Sequence, residues 1–92
     1  MKHPLKDKLV AFIGTPQRCT RREIYDEVIF AGGIIEEKIS TFLHYVVTFS
    51  GAEKTVKYRK ASKFAEKGLL AIINEEQFFA ALEENAVLPE TA

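Results

Sequence analysis

The chain alternates between short runs that are apolar throughout and longer stretches in which apolar residues recur every three or four positions. Residues 8–13 and 69–73 are almost wholly apolar, and residues 44–49 are rich in β-branched and aromatic types. A short run without polar alternation is typical of a strand that is covered on both faces. We therefore predict three buried strands at these positions, with a shorter strand at residues 34–36.

Three amphipathic helices are predicted between and after these runs. The first begins at Thr20, because Thr20 and Glu23 have the spacing of a capping box, and it stops at Gly32 and Gly33. The second covers residues 55–67, with an apolar stripe on one face and lysines on another. Its stripe consists of Tyr58, Ala61, Phe64 and Ala65.

The third helix begins after Asn74, which forms a second capping-box pattern with Gln77. The resulting order, β-α-β-β-α-β-α, predicts an α/β fold with a four-stranded parallel sheet between layers of helices. The length of 92 residues allows one domain, which we place at residues 5–84. Residues 85–92 are expected to form a flexible tail.

Charge is balanced over the whole chain but uneven along it. The 13 basic and 13 acidic residues leave no net charge, which argues against general coating of nucleic acid. Residues 1–22 hold six basic residues and one acidic, and residues 53–67 hold six basic and two acidic. Acidic residues predominate in residues 23–38 and 75–90. The two basic segments are therefore candidates for one basic face.

The sequence gives little support to catalysis. Cys19 lies near a helix start and two arginines, which would lower its pKa, but neither His3 nor His44 is placed in sequence to act as its base. Paired glutamates diverge by about 100° on a helix and do not converge on a metal ion. We expect no enzyme activity, no metal and no cofactor. One cysteine, no signal peptide and no long apolar run predict a reducing cytosolic setting and no membrane partner. We expect a cytoplasmic, nucleoid-associated location if the chain is bacterial and a nuclear one if it is eukaryotic.

A candidate anion site lies where the first strand meets the first helix. Residues 12–23 read as a strand end, a turn at Gly14, and a helix that opens with Arg21 and Arg22. The start of a helix carries partial positive charge and free N–H donors, and two arginines add full charge to it. These residues predict binding of an oxyanion, most simply a phosphate.

Taken in order, these features resemble the BRCT domain, the C-terminal repeat of the breast-cancer susceptibility protein, over residues 5–82. The resemblance is carried by the strand ending in Gly14, the Thr20-Arg21 helix opening, the Gly32-Gly33 pair, and residues 45–47, 57–61 and 72–78. The sequence looks closest to the single domains of bacterial NAD-dependent DNA ligases, of the large subunit of replication factor C, and of some proofreading-type exonucleases. That resemblance implies one helix on one face of the sheet, two on the other, and a module that binds phosphate on a protein or at a DNA 5′ end.

The resemblance also implies a phosphate site. In that family a Ser or Thr before the first-loop glycine, the backbone N–H of that glycine and a Lys at the start of the second helix hold the phosphate. Gly14 and Lys57 match two of these, whereas Ile13 stands at the hydroxyl position and cannot donate a hydrogen bond. Thr15 would then supply the hydroxyl, and Arg21 matches an arginine beside the phosphate in DNA-end-binding members.

We therefore predict a phosphate site formed by Gly14, Thr15, Arg21 and Lys57. Candidates for contact with a DNA backbone are Arg18, Arg22, Lys60, Lys63 and Lys67. The predicted function is a non-catalytic module of DNA replication or repair that recognises a DNA 5′ phosphate or strand end. The alternative is a protein-interaction domain that docks a phosphoprotein or weakly self-associates. That alternative uses an exposed ring at Phe78 or Phe79, since adjacent residues cannot both face one way on a helix.

Overall fold

The predicted order of strands and helices is present in the computed structural model, which describes residues 3–89. The elements are β1 (Leu9–Ile13), α1 (Arg21–Phe30), β2 (Ile34–Ile35), β3 (Tyr45–Thr48), a short 3₁₀ helix (Ala52–Lys54), α2 (Val56–Glu66), β4 (Ala71–Asn74) and α3 (Glu75–Glu84). The predicted bounds hold to within about two residues. The largest difference is in β4, which begins two residues later than its apolar run.

The four strands form one parallel sheet in the order β2-β1-β3-β4. The chain therefore leaves β1 toward one edge, through α1 to β2, and afterwards builds the other half through β3, α2 and β4. The two halves diverge between β1 and β3. In open parallel sheets of this kind, ligands bind in the crevice at the carboxyl ends of the strands near such a point.

Alternate side chains of the sheet enter two separate cores, which explains why the strands are apolar throughout. Phe12, Val47 and Ile73 pack with α1 and α3 in one cluster. Ile13 and Val46 pack with α2 in the other. The sheet is thus covered on both faces, by two helices on one side and one on the other, and the predicted three-layer α/β fold is confirmed.

Both predicted capping boxes are formed. The N–H of Glu23 donates to Thr20 Oγ1 at 3.2 Å, and the N–H of Thr20 donates to Glu23 Oε1 at 3.1 Å. Asn74 and Gln77 make the same reciprocal pair at the start of α3. Gly32 follows α1 at a φ of 90°, as predicted for a left-handed cap.

The prediction that Phe78 or Phe79 is exposed is wrong. Phe78 is fully buried against the rings of Phe12 and Phe49, and Phe79 is 8% exposed. Both rings are covered because α3 is enclosed on two sides, by the sheet and by the segment before α1, where Arg18 lies 4.2 Å above the Phe79 ring. The exposed phenylalanines between residues 3 and 89 are Phe30, at 92%, and Phe42, at 78%.

The segment after α3 lies against the domain instead of trailing away from it, as far as it is described. Leu88 is 6% exposed and belongs to the core beneath α1 and α3. The Tyr45 hydroxyl donates to the Pro89 carbonyl oxygen at 2.9 Å. The last three residues of the expected tail, 90–92, lie outside the described residues. Within residues 3–89, every helix is too short or too polar to span a bilayer.

Candidate anion-binding site

A cavity of about 450 Å³ opens at the carboxyl end of β1. Its walls come from the end of β1, the first turns of α1 and α2, and the residues that follow β2. The lining residues are Phe12, Ile13, Gly14, Arg21, Tyr25, Glu36, Glu37, Thr55 and Lys57. Three of the four predicted phosphate-site residues, Gly14, Arg21 and Lys57, are thus brought together although 43 positions of the sequence separate the first from the last.

Gly14 allows the chain to turn closely under the loop that follows β3. Its φ is 92°, a conformation that L-residues with a side chain rarely adopt. A Cβ atom there would lie 2.7 Å from the Phe49 carbonyl oxygen and 2.8 Å from that of Ser50. Position 14 therefore needs glycine for the fold itself, apart from any contact with a ligand.

Arg21, the first residue of α1, is anchored across the cavity. Its guanidinium donates to the Gly14 carbonyl oxygen at 2.7 Å and to the Tyr25 hydroxyl at 3.3 Å. A guanidinium has five N–H donors, so others remain for an anion. The fixed side chain adds a full positive charge to the partial charge of the helix start.

Lys57 lies in the first turn of α2, which begins after the cap residue Thr55. The Thr55 hydroxyl is already engaged, because it donates to the Ala52 carbonyl oxygen at 2.7 Å and accepts from the Tyr58 N–H at 3.0 Å. Lys57 is exposed and makes no ion pair within residues 3–89. Its ammonium group is therefore available to a ligand.

The structure does not bring Thr15 to the cavity. The Thr15 N–H donates to the Ser50 carbonyl oxygen at 3.0 Å, in an isolated antiparallel bridge. Thr15 is exposed and is not among the residues that line the cavity. Ile13 is 2% exposed and packs in the core under α2. Neither residue thus supplies a hydroxyl to this cavity.

Two carboxylates that we did not include in the predicted site also line it. Glu36 and Glu37 directly follow β2, the strand beside β1, so they meet the carboxyl end of β1 at the same edge of the sheet. Glu36 Oε1 accepts from the N–H of Glu37 at 3.1 Å. With Arg21 and Lys57 the cavity holds two positive and two negative side chains. Strand order is the signal that would have placed the carboxylates here.

The other basic candidates lie outside this cavity. Arg18 pairs with Glu83 at 2.9 Å and stacks on Phe79, so it contacts α3. Arg22 is exposed on α1. The three lysines of the second basic segment are exposed on or just after α2, and they are Lys60, Lys63 and Lys67. Their role on a DNA backbone stays a prediction.

The expectation of a lowered pKa at Cys19 is wrong. Burial and the neighbouring carboxylate of Glu23 raise the pKa of the thiol, and the opposing effect of Arg18 is smaller. A raised pKa leaves little of the thiolate that a nucleophile requires. Among residues 3–89, no three His, Cys, Asp or Glu side chains gather in a group that could hold a metal ion.

Comparison with known proteins rests on the fold, since neither a family model nor a curated protein matches the sequence. The structure of Rad4 BRCT1,2 in complex with a Mdb1 phosphopeptide matches with a TM-score of 0.74 and 20% identity, over 96% of this chain and 44% of that one. This chain thus spans less than half of the Rad4 structure.

Two further matches cover single domains. The C-terminal BRCT domain of human XRCC1 has a TM-score of 0.69 and 18% identity, over 95% of this chain and 86% of its own. A second structure, of the second XRCC1 BRCT domain, has the same score and identity, over 96% and 85%. The chain has the fold of a BRCT domain, and the predicted fold is confirmed. The narrower likeness to DNA ligases and replication factor C stays a prediction.

Proposed function

We propose that this domain binds a phosphate monoester carried by a partner protein, in the cavity between Arg21 and Lys57. The observation that carries the proposal is the convergence of these two cations, each from the first turn of a different helix, on one cavity. The similar structure of Rad4 BRCT1,2 in complex with a phosphopeptide supports it. The predicted DNA 5′ phosphate is the competing ligand.

Each cation has a distinct part in this proposal. The Arg21 guanidinium, oriented by Gly14 and Tyr25, offers its remaining N–H donors in a fixed plane, which suits two phosphate oxygens at once. Lys57 is a mobile point charge at the start of α2, where the helix also favours an anion. A doubly charged phosphate monoester gains more from this pair than a carboxylate does.

The carboxylates favour a protein partner over a DNA end. A DNA strand carries a further phosphate about every 3.4 Å along its axis, so a strand entering the cavity would bring its second phosphate toward Glu36 or Glu37. A phosphorylated peptide instead places neutral backbone next to its phosphate. The amide N–H groups of that backbone can donate hydrogen bonds to the carboxylates of the cavity.

Titration of the ¹⁵N-labelled domain tests this proposal. Four probes are compared: a peptide library centred on phosphoserine, the same library with serine, a 5′-phosphorylated duplex and the same duplex with a 5′ hydroxyl. We expect only the phosphoserine peptides to shift the amide signals of Gly14, Arg21 and Lys57. Binding that needs the duplex 5′ phosphate would assign the site to DNA, and phosphate-independent binding of either kind would refute a phosphate site.

Lys57→Ala tests the contribution of the lysine to phosphopeptide binding, with Lys63→Ala as its matched control. The loss of a charged hydrogen bond costs about 1.5–3 kcal/mol, and about 1.4 kcal/mol is a tenfold change in affinity. We therefore expect phosphopeptide affinity to fall at least tenfold. Lys63→Ala, on the same helix but outside the cavity, is the control and should bind as the wild type does.

A further inference from the structure

A second cavity adjoins the cavity lined by Arg21 and Lys57, which we call the phosphate cavity. We propose that this second cavity binds an acidic side chain of the same phosphorylated partner segment. This inference rests on the proposed function. It names the ligand more closely, as a phosphopeptide with an aspartate or glutamate a few residues from the phosphorylated position.

The second cavity has a volume of about 480 Å³ and lies between the residues after β2 and the first two turns of α2. Glu37 and Lys57 line both cavities, so the two are neighbours along the start of α2. A ligand that reaches the phosphate cavity can therefore continue into the second one without leaving the surface.

The charge of the second cavity is positive. Lys38 and Lys60 join Lys57 on its walls, against the single carboxylate of Glu37. The one salt bridge within residues 3–89 joins Arg18 to Glu83, so none of these lysines is neutralised by an internal ion pair. The cavity thus offers an acidic group two cations, Lys38 from the loop and Lys60 from the helix, in addition to the shared Lys57.

An apolar surface accompanies these charges. Ile39, which is 6% exposed, and Val56, which is 79% exposed, also line the cavity. The methylene groups of an aspartate or glutamate can lie on this surface while the carboxylate stays between the lysines. This pattern of an apolar contact and two cations fits an acidic side chain better than a bare ion.

Glu37 favours a ligand whose two negative charges are separated by a neutral stretch. It lies where the two cavities meet, between the Arg21 end and the Lys60 end. A continuous polyanion would place charge against it, whereas a peptide can leave this position neutral. Because an extended residue spans about 3.3 Å, a scan of the acidic position along the peptide measures the separation of the two subsites.

The test uses phosphoserine peptides on an alanine background, with one glutamate moved from four residues before the phosphoserine to four after it. We expect glutamate at one or two adjacent positions on a single side to raise affinity by about twofold to fivefold, as for exposed ion pairs. Glutamine at the same position should give no increase. The preference should disappear at high salt.

Variants separate this inference from the proposed function. Lys38→Ala and Lys60→Ala should each reduce the glutamate preference while leaving the affinity for the all-alanine phosphopeptide within about twofold, and Lys63→Ala should change neither. An all-alanine phosphopeptide that does not bind would refute the proposed function. Binding of that peptide with no preferred glutamate position, or a preference that survives in the Lys38→Ala, Lys60→Ala double variant, would refute the second subsite alone.

Discussion

The guanidinium of Arg21 donates a 2.7 Å hydrogen bond to the carbonyl oxygen of Gly14, so the helix start and the strand end are joined directly. The bond closes the loop between β1 and α1 over seven residues. It also holds the positive charge above the turn that the glycine makes possible. The shape of the cavity and its charge therefore depend on each other.

Arg21→Lys tests how much the anchored geometry contributes beyond charge. A lysine keeps the positive charge but lacks the planar fork that contacts Gly14, Tyr25 and a phosphate together. We expect phosphopeptide affinity to fall about tenfold, as for the loss of one charged hydrogen bond. Tyr25→Phe removes only the longer 3.3 Å contact and serves as control, with a loss below about threefold. Equal affinity of Arg21→Lys and the wild type, measured by calorimetry, would show that charge alone matters.

Gly14→Ala should destabilise the domain through both backbone strain and a steric clash. An L-residue with positive φ costs about 1–2 kcal/mol, and forcing atoms into an occupied space adds about 1–3 kcal/mol. Gly51→Ala is the matched control, since Gly51 has a φ of 82° but nothing within 4 Å of an added Cβ. Urea unfolding should show that Gly14→Ala loses at least about 1 kcal/mol more than Gly51→Ala. Equal losses would mean that the loop after β3 moves away from position 14.

The predictable part of the fold is the part that local rules determine. Apolar periodicity and the two capping boxes placed the three helices, because a cap acts over only three or four residues. The late start of β4 shows a limit of prediction from local sequence. Leu70 is 3% exposed but lies before the paired strand, and a buried residue without a ladder partner has the same sequence signature as a buried strand.

The site was less predictable because its composition depends on contacts between distant segments. Glu36 and Glu37 enter the cavity only because β2 pairs with β1. Arg18 is drawn to α3 by Glu83, 65 positions away. The identity of a single basic or acidic residue carries no information on such partners. The sequence therefore predicted a basic anion site where the cavity at the end of β1 has mixed charge.

Phe78 and Phe30 should differ strongly in their effect on stability. Phe78 is fully buried, and its truncation to alanine would cost about 3–5 kcal/mol. Because that is a large part of a small domain's stability, Phe78→Leu is the safer variant, since it keeps most of the buried apolar volume and should lose less stability than alanine. Phe30→Ala should change the free energy of unfolding by less than about 0.5 kcal/mol, since its ring is 92% exposed.

Phe30 also tests the sequence-based alternative of weak self-association. A clear loss of stability in Phe30→Ala would contradict its exposure in the single chain. It would indicate that a second copy covers the ring. Sedimentation of the wild type and of Phe30→Ala over a range of concentrations would then show an association that the variant lacks.

His44 should make the domain less stable as the solution becomes acidic. Its Nδ1 accepts a 3.0 Å hydrogen bond from the N–H of Leu9, which requires the unprotonated ring. Burial and, to a smaller extent, the positive charge of Lys8 lower the pKa of His44 below its ordinary value of 6.5. The unfolded chain therefore binds the proton more readily than the folded one. The stabilising effect is fully present above pH 6.5 and is lost as the pH falls through the lower, folded pKa.

His44→Asn provides the comparison, because an amide oxygen can accept from Leu9 and does not titrate. Urea unfolding between about pH 7.5 and pH 4.5 should show a steeper loss in the wild type than in His44→Asn, and parallel curves would exclude His44 as a source of acid sensitivity.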